Sequence, residues 1–270
     1  MCRIRAHFVF SGLLALQLSV WASGPLPGQD EKPTHLLYDN GAVVRGDVTK
    51  KEIALVFTGH EFADGGTLIR DVLQRKMARA GFFFTGDFYR NPANTSLIKG
   101  LRDDGHYLGP HSDKHLLYCA WENREKLLVT KDEFRSDILL NYEAIEAFGI
   151  GQEDAPFFIP PYEWYNETIV GWAKELGLRL FNFTPGTLSN ADYTTPDMAD
   201  YRSSARIFQS IIDFEESESH GLNGFILLVH IGTHPDRTDK FYRRLEELMT
   251  ELGGRGYRFV RVDDLMRGRE

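Results

Sequence analysis

His111-Ser112-Asp113-Lys114-His115 places two imidazoles four residues apart. Two such rings at a strand end can converge on one divalent ion, and a carboxylate from another strand end would complete a ligand set with positions left open for water. The zinc-protease helix pattern is absent, because Ser112 rather than a glutamate follows His111. Other segments concentrate groups of the same kind: Thr58-Gly59-His60-Glu61-Phe62-Ala63-Asp64, Pro160-Pro161-Tyr162-Glu163-Trp164-Tyr165, and His230-Ile231-Gly232-Thr233-His234. Five of the nine histidines fall in these stretches, more than scattered surface placement would give. Tyr162, Trp164 and Tyr165 flank Glu163, which suits a sugar: aromatic faces cover its C–H groups and a carboxylate accepts from its hydroxyls. Ordinary packing around a Pro-Pro turn would use the same aromatics. Tyr118 and Trp121, close to His115, could serve the same cleft. Cys119 also lies near the histidines and reads as a small buried thiol rather than a ligand. Asp113 is placed to support a ligand histidine, or to face solvent.

The elements around these residues explain why they could meet. Asn40-Gly41 between short apolar runs in 35–45 predicts a hairpin. From Glu52 onward, strand-like runs alternate with helical periods: strands at Ile53–Phe57, Phe82–Thr85, Tyr107–Leu108, Phe157–Ile159, Leu178–Phe183, Phe225–Val229 and Tyr257–Val262. Helices are expected over Thr67–Ala80 (closed by Gly81), Leu97–Leu101, Asp132–Phe148, from the Asn166 cap to Leu176, Ser203–Glu216 and Lys240–Leu252. Residues 184–201 form a long irregular loop, a length that usually carries function. Such alternation means a parallel sheet with helices outside, and about seven βα units favour an α/β, distorted (β/α) barrel with a short N-terminal hairpin. In such barrels chemistry sits at the C-terminal ends of the strands, and each of the segments above follows a strand.

Composition narrows the function classes. The 270 residues are 42% hydrophobic and 26% charged, as in a folded globular chain. Thirty-one basic against 39 acidic residues give −8, which disfavours a partner read through its phosphates, so no nucleic acid is expected. Arg3 and Arg5 before the apolar stretch 8–21 read as a signal peptide over 1–22, with 23–34 as a Pro- and Gly-bearing linker and 35–270 as the folded domain. Loss of Arg3 and Arg5 from the 31 basic residues would leave −10 against the 39 acidic ones, with Cys119 the remaining cysteine. The mature protein would then be exported, periplasmic or extracellular, and not integral to a membrane, its core holding the fold without an internal disulfide.

The order of signals resembles the NodB-type polysaccharide deacetylases, carbohydrate esterase family 4. That family carries a strand ending in Thr-Phe-Asp-Asp-Gly, then His-Ser/Thr-x-x-His, Arg-x-Pro-Tyr, and a late Leu-x-His. His111–His115 matches the second motif in full, and Ile159-Pro160-Pro161-Tyr162 matches the third except at its first position. Leu228-Val229-His230 matches the last, and Phe82–Gly86 is similar to the family's Thr-Phe-Phe-x-x-Gly strand. The likeness runs in order over residues 50–265. Two positions depart from it: the Asp-Asp pair is not present as such, and Ile159 stands where the family has a base-orienting arginine. Matching letters puts Phe62-Ala63-Asp64-Gly65 on Phe-Asp-Asp-Gly, keeping Asp64 as a ligand and losing the base to Ala63. Matching strands puts Phe57 on the phenylalanine, so that His60 or Glu61 supplies the ligand or base.

The resemblance implies a metal-dependent hydrolase that removes acetyl groups from N- or O-acetylated oligo- or polysaccharide. Asp64, His111 and His115 would hold a divalent metal, zinc first, with cobalt, manganese or nickel as alternatives. Glu61 would take a proton from water and His230 would protonate the departing amine; the bland role for His230 is a satisfied core histidine. The backbone N–H at Tyr162 would serve as oxyanion donor, and Tyr162, Glu163 and Trp164 would contact the sugar. Loss of both the aspartate and the arginine is equally consistent with a degenerate barrel that binds carbohydrate without turnover. Hydrolysis of a different amide or ester is a third reading.

Overall fold

A computed structural model describes residues 35–267. The signal peptide and linker expected over 1–34 lie outside the described residues. The chain begins with β1 (Leu37–Asp39) and β2 (Ala42–Arg45), paired antiparallel. Their turn uses Asn40 at φ 42 and Gly41 at φ 84, two left-handed residues that Asn-Gly tolerates at low cost. Next come β3 (Glu52–Gly59), α1 (Gly66–Arg75), β4 (Gly81–Phe84), α2 (Gly86–Arg90), α3 (Thr95–Asp103), β5 (Tyr107–Pro110) and α4 (Lys131–Glu146). After these follow β6 (Phe157–Phe158), α5 (Glu167–Glu175), β7 (Arg179–Leu180), α6 (Ser204–Ser217), β8 (Phe225–His230), α7 (Leu245–Gly254), β9 (Arg258–Val260) and α8 (Val262–Arg267).

β3 is the central strand. It pairs in parallel with β8 along one edge and with β4 and β9 along the other, and β5 extends the sheet beyond β4. β6 and β7 form a second parallel pair. Side chains and β2 join the two sheets. The Phe157 N–H donates to the Tyr107 hydroxyl across the gap from β6 to β5. On the other side Asn182 N–H donates to Val43 O, and the Thr184 hydroxyl donates to Val44 O while Thr184 N–H donates to Ile226 O. The result is the expected α/β barrel, distorted, with the hairpin strand wedged into its wall.

Aromatic packing fills both faces of β4. Phe83 lies 5.0 Å from Phe181 and 5.4 Å from Tyr107, so it spans toward β7 and β5. Phe82 stacks on Phe57 at 5.0 Å. These rings are fully buried, and each contributes roughly 1.5–3 kcal/mol of burial free energy. Helix ends follow cap chemistry. Asn166 accepts from Ile169 N–H, and Thr130 with Glu133 closes a capping box on α4.

Several expected boundaries move. α1 stops at Arg75, not Ala80. Met77 turns left-handed at φ 50, and Ala78 N–H donates back to Leu73 O, a helix closure made without glycine. Met77, placed on the apolar helical face by its spacing, is 94% exposed, and Gly81 opens β4 instead of ending the helix. α2 and α8 are short helices that the periodicity did not reveal. The 184–201 loop contains a 3₁₀ turn over Ser189–Tyr193.

Candidate active site

The C-terminal ends of β3, β5, β6 and β8 surround a cavity of about 780 Å³, lined among others by His60, Glu61, His115, Trp121, Tyr162, Glu163, Tyr193 and His230. Backbone strain concentrates here. Among the described residues six non-glycines have positive φ, and four of them are Ser112 (69), His115 (56), Tyr162 (59) and Glu163 (53). Such conformations cost of order 1–3 kcal/mol each and tend to persist where they aim a functional group.

The histidine loop is held from beneath. His111 N–H donates to Phe84 O and to the Asn141 amide oxygen. Asp137 on α4 accepts from Asp113 N–H, Lys114 N–H and the Tyr118 hydroxyl. Tyr118 is thereby buried and serves the loop rather than the cleft. The Asp113 carboxylate pairs with Arg90 at 2.6 Å, so it does not orient a histidine. His111, 1% exposed, uses the carbonyl of Ile159, 2.9 Å from Nδ1. A carbonyl can only accept, so Nδ1 carries the proton and Nε2 presents a bare lone pair. Burial drives the His111 pKa down to about 3, with His230 and His60 adding to it against the pull of the Ile159 bond. Burial, then His111, His60 and His230, lower His115 as well, to about 2. Both rings are neutral near pH 7, the state in which imidazole ligates metal.

The His111 and His115 ring centres are 5.0 Å apart, and His60 stacks on His115 at 4.9 Å with its Nδ1 3.1 Å from the Thr85 hydroxyl. No group of three His, Cys, Asp or Glu side chains is arranged to hold a metal ion among the described residues. The donor chemistry suits a divalent ion at His111 and His115. At Asp64 the carboxylate is already engaged by other side-chain and backbone partners. Asp64 accepts from Thr233 N–H and the Tyr242 hydroxyl and pairs with Lys240 at 3.0 Å. Those partners outweigh the cost of its burial and lower its pKa. Cys119 is buried, and burial pushes its thiol up to about 11, so it stays protonated.

His230 ends β8, with Thr58 of β3 opposite it in register. Its Nδ1 lies 2.6 Å from the carboxylate of Asp192, which also accepts the His230 backbone N–H at 3.0 Å. Burial opposes charge on the ring, but Asp192 and Glu163 prevail and raise its pKa above the usual value. Asp192, itself fully buried, was not foreseen from the sequence. It comes from the long 184–201 loop, whose length and Asn/Asp content were the available signal. Gly232 follows closely because a Cβ there would lie 2.5 Å from Ala63 N, against the loop after β3.

Glu61 lies on the cavity wall and is exposed. Tyr162 and Glu163 reach the cavity together through the Pro160–Glu163 turn. Burial pushes the Glu163 carboxyl up to about 7, with Asp192 reinforcing and His230 opposing. Trp164 is not among the lining residues. Its indole N–H donates to Ala120 O, and Arg124 lies 3.7 Å over its ring. It instead supports Trp121, 5.4 Å away, which is 55% exposed at the cavity mouth. His234 and Asp236, exposed, also border the cavity.

Comparison with known proteins agrees with this arrangement. The polysaccharide deacetylase family model matches residues 45–181. A peptidoglycan-N-acetylglucosamine deacetylase of Bacillus cereus is 27% identical over 218 residues, 81% of this chain and 89% of that protein. A peptidoglycan-N-acetylmuramic acid deacetylase of Bacillus subtilis is 24% identical over 247 residues, 89% of this chain and 81% of that one. The solved structure of a Bacillus subtilis family 4 carbohydrate esterase superposes with a TM-score of 0.66 at 22% identity, covering 85% of this chain and 86% of that one. A family 4 pseudoenzyme from Bacillus anthracis superposes with a TM-score of 0.65 at 18% identity, covering 85% and 70%. With the family model spanning half its length and the barrel shared with these structures, the chain belongs to the polysaccharide deacetylase family, carbohydrate esterase family 4.

Proposed function

We propose that the protein is a metal-dependent deacetylase of N- or O-acetylated carbohydrate. The observation that carries this reading is the division of labour among three strand-end histidines, His115 and His230 lining one cavity and His111 packed 5.0 Å from His115: His111 and His115 neutral, His230 held toward its charged form by Asp192. A divalent ion held by His111 and His115, zinc first, would lower the pKa of the attacking water and polarise the acetyl carbonyl. His230 keeps a proton at Nε2 to give to the leaving amine nitrogen, while Asp192 fixes its tautomer. The Tyr162 backbone N–H, on its strained turn, donates to the oxygen that gains charge. Trp121, Tyr162 and Tyr193 present exposed rings to the sugar faces. A carboxylate must accept the water's proton, and Glu61 and Glu163 both border the cavity.

The named activities of the relatives support testing acetylated amino sugars of peptidoglycan as substrates first. They also accord with export through a signal peptide over 1–22 to the periplasm or the cell exterior. No helix among the described residues is long and apolar enough to cross a membrane.

A second reading has its own support. Thr58 stands at the strand-matched base position and Ile159 at the arginine position, as in a barrel that binds glycan without turnover. The Bacillus anthracis neighbour is described as a pseudoenzyme, and a mutant of it as having restored activity. Bound metal and acetate release from acetylated oligosaccharides, compared between the native protein and His111→Ala, separate the two. Stoichiometric metal with release abolished in the variant is expected; glycan binding with neither metal nor release would establish the degenerate barrel.

A further inference from the structure

Within the deacetylase reading, on which this inference rests, we propose that Glu163 is the general base, supplied by the turn after β6 in place of the aspartate the family carries at the end of β3. The site lacks that aspartate. Thr58, the strand-matched residue, is buried and its hydroxyl has no hydrogen-bond partner. The other carboxylates around the cavity are committed or solvated. Asp192 spends both oxygens on His230, and Asp64 is taken by Thr233, Tyr242 and Lys240. Asp197 accepts from the Thr195 hydroxyl, and Asp236 is exposed on the rim. Glu61 is exposed to bulk water.

Glu163 differs on each count. Two consecutive left-handed residues, Tyr162 and Glu163, bend the turn so that its side chain borders the cavity lined by His60, His115 and His230. The Asn182 amide donates to its backbone carbonyl and fixes the turn from behind. His230 at the end of β8, with Asp192 and Tyr193 from the 184–201 loop, are the ionisable groups that act on it. Sequence spacing suggested sugar contact for this residue. A left-handed backbone at a non-glycine, spent where a carboxylate borders the same cavity as His230, fits chemistry better than a hydroxyl contact.

The step balances as follows. The Glu163 carboxylate takes one proton from water as the water oxygen bonds to the acetyl carbon. The carbon–nitrogen bond then breaks while His230 gives its Nε2 proton to that nitrogen, leaving a free amine and acetic acid, which loses its remaining proton to solvent as acetate. Transfer of the proton from Glu163 to His230 through solvent restores both groups.

The test measures acetate release with full kinetic parameters for Glu163→Gln, Glu163→Ala and Glu61→Gln, each checked for native folding by circular dichroism. Glu163→Gln is expected to lower kcat about 10²–10⁴-fold, the usual contribution of a general base, with KM within about threefold. Formate is expected to restore part of the activity of Glu163→Ala, as a purely structural role would not allow. Glu61→Gln should stay within about threefold of native. A Glu163→Gln enzyme that keeps its kcat, a change confined to KM, an absence of formate rescue, or a large kcat loss in Glu61→Gln would each overturn the proposal. If the native protein releases no acetate at all, the deacetylase reading fails and this inference with it.

Discussion

His106 offers a test of the scaffold that is independent of turnover. It is the residue before β5, the strand that carries His111, and it is 6% exposed. Ala80 N–H donates to its Nδ1 at 3.1 Å, which requires that nitrogen to be unprotonated. Burial is the main cause holding its pKa near 4; Asp104 pulls upward and Arg70, Arg79 and Arg261 push down. The unfolded chain takes up the proton near pH 6.5, so between these values the unfolded state binds more protons than the native state. His106 therefore contributes stability that is full above pH 6.5 and is lost as pH falls toward 4. A shift of 2.5 units at about 1.4 kcal/mol per unit amounts to about 3.5 kcal/mol, of which about 3 kcal/mol is lost by pH 4. His106→Asn keeps an acceptor for Ala80 N–H and removes the titration. Other groups of the site also change charge over this range, so the informative quantity is the native-minus-variant difference in urea unfolding free energy. That difference should fall by about 3 kcal/mol from pH 7.5 to pH 4. Curves that stay parallel within 1 kcal/mol would show that His106 is not held neutral by burial, and the account of β5 anchoring would fail.

Other perturbations bear on the site directly. Asp192→Asn removes a charge-assisted bond worth about 1.5–3 kcal/mol, so kcat/KM should drop about 10–150-fold. Because Asp192 raises the His230 pKa, the alkaline limb of the pH profile should also move to lower pH in that variant, and an unmoved limb would exclude His230 as the acid. Asp64→Asn should leave zinc affinity, measured by calorimetry, within about threefold of native, whereas His111→Ala removes binding; a large loss in Asp64→Asn would restore it as a ligand. Its effect on stability should be at most about 1 kcal/mol, since its ion pair with Lys240 is partly exposed and screened. Trp121→Ala should raise KM about 3–10-fold at constant kcat, in line with about 0.5–1.5 kcal/mol per aromatic contact, and a loss confined to kcat would contradict a sugar-stacking role.

The barrel was legible because its signals are local. Ile53–Phe57, Phe82–Phe84 and Phe225–Val229 are continuous apolar runs, as strands covered on both faces require, and Asn40-Gly41 names its own turn. The same locality explains the misses. α1 ends in a left-handed Met77, and no residue type marks that closure as a glycine would have. Among candidate site residues, His111 and His115 stand out in the sequence by type and spacing, and His230 by its place in the motif order. Trp164 was expected in the cleft on composition alone, whereas Arg124 and the Ala120 carbonyl, both more than thirty residues away, decide its position. Asp64 was selected by letters in a motif, and the β8 loop and Tyr242 claim it instead.

What spacing could not show is the protonation of each imidazole, and this is where the site acquires its direction. His111 is buried and His230 partly buried, both at strand ends, and desolvation alone would lower the pKa of both. They differ in what Nδ1 meets. The Ile159 carbonyl gives His111 a partner for the neutral tautomer and little recompense for a charge, so Nε2 remains a lone-pair donor. The Asp192 carboxylate gives His230 a full counter-charge, and Nε2 can then carry a transferable proton. Ile159 thus works through its backbone, so an aliphatic side chain can stand where the family has arginine without altering the hydrogen bond to His111. The strand-end aspartate that the family's arginine would orient is absent as well, Thr58 standing at that position. A carboxylate entering by way of Glu163 meets His230 instead, whose attraction opposes the rise that burial imposes on its pKa.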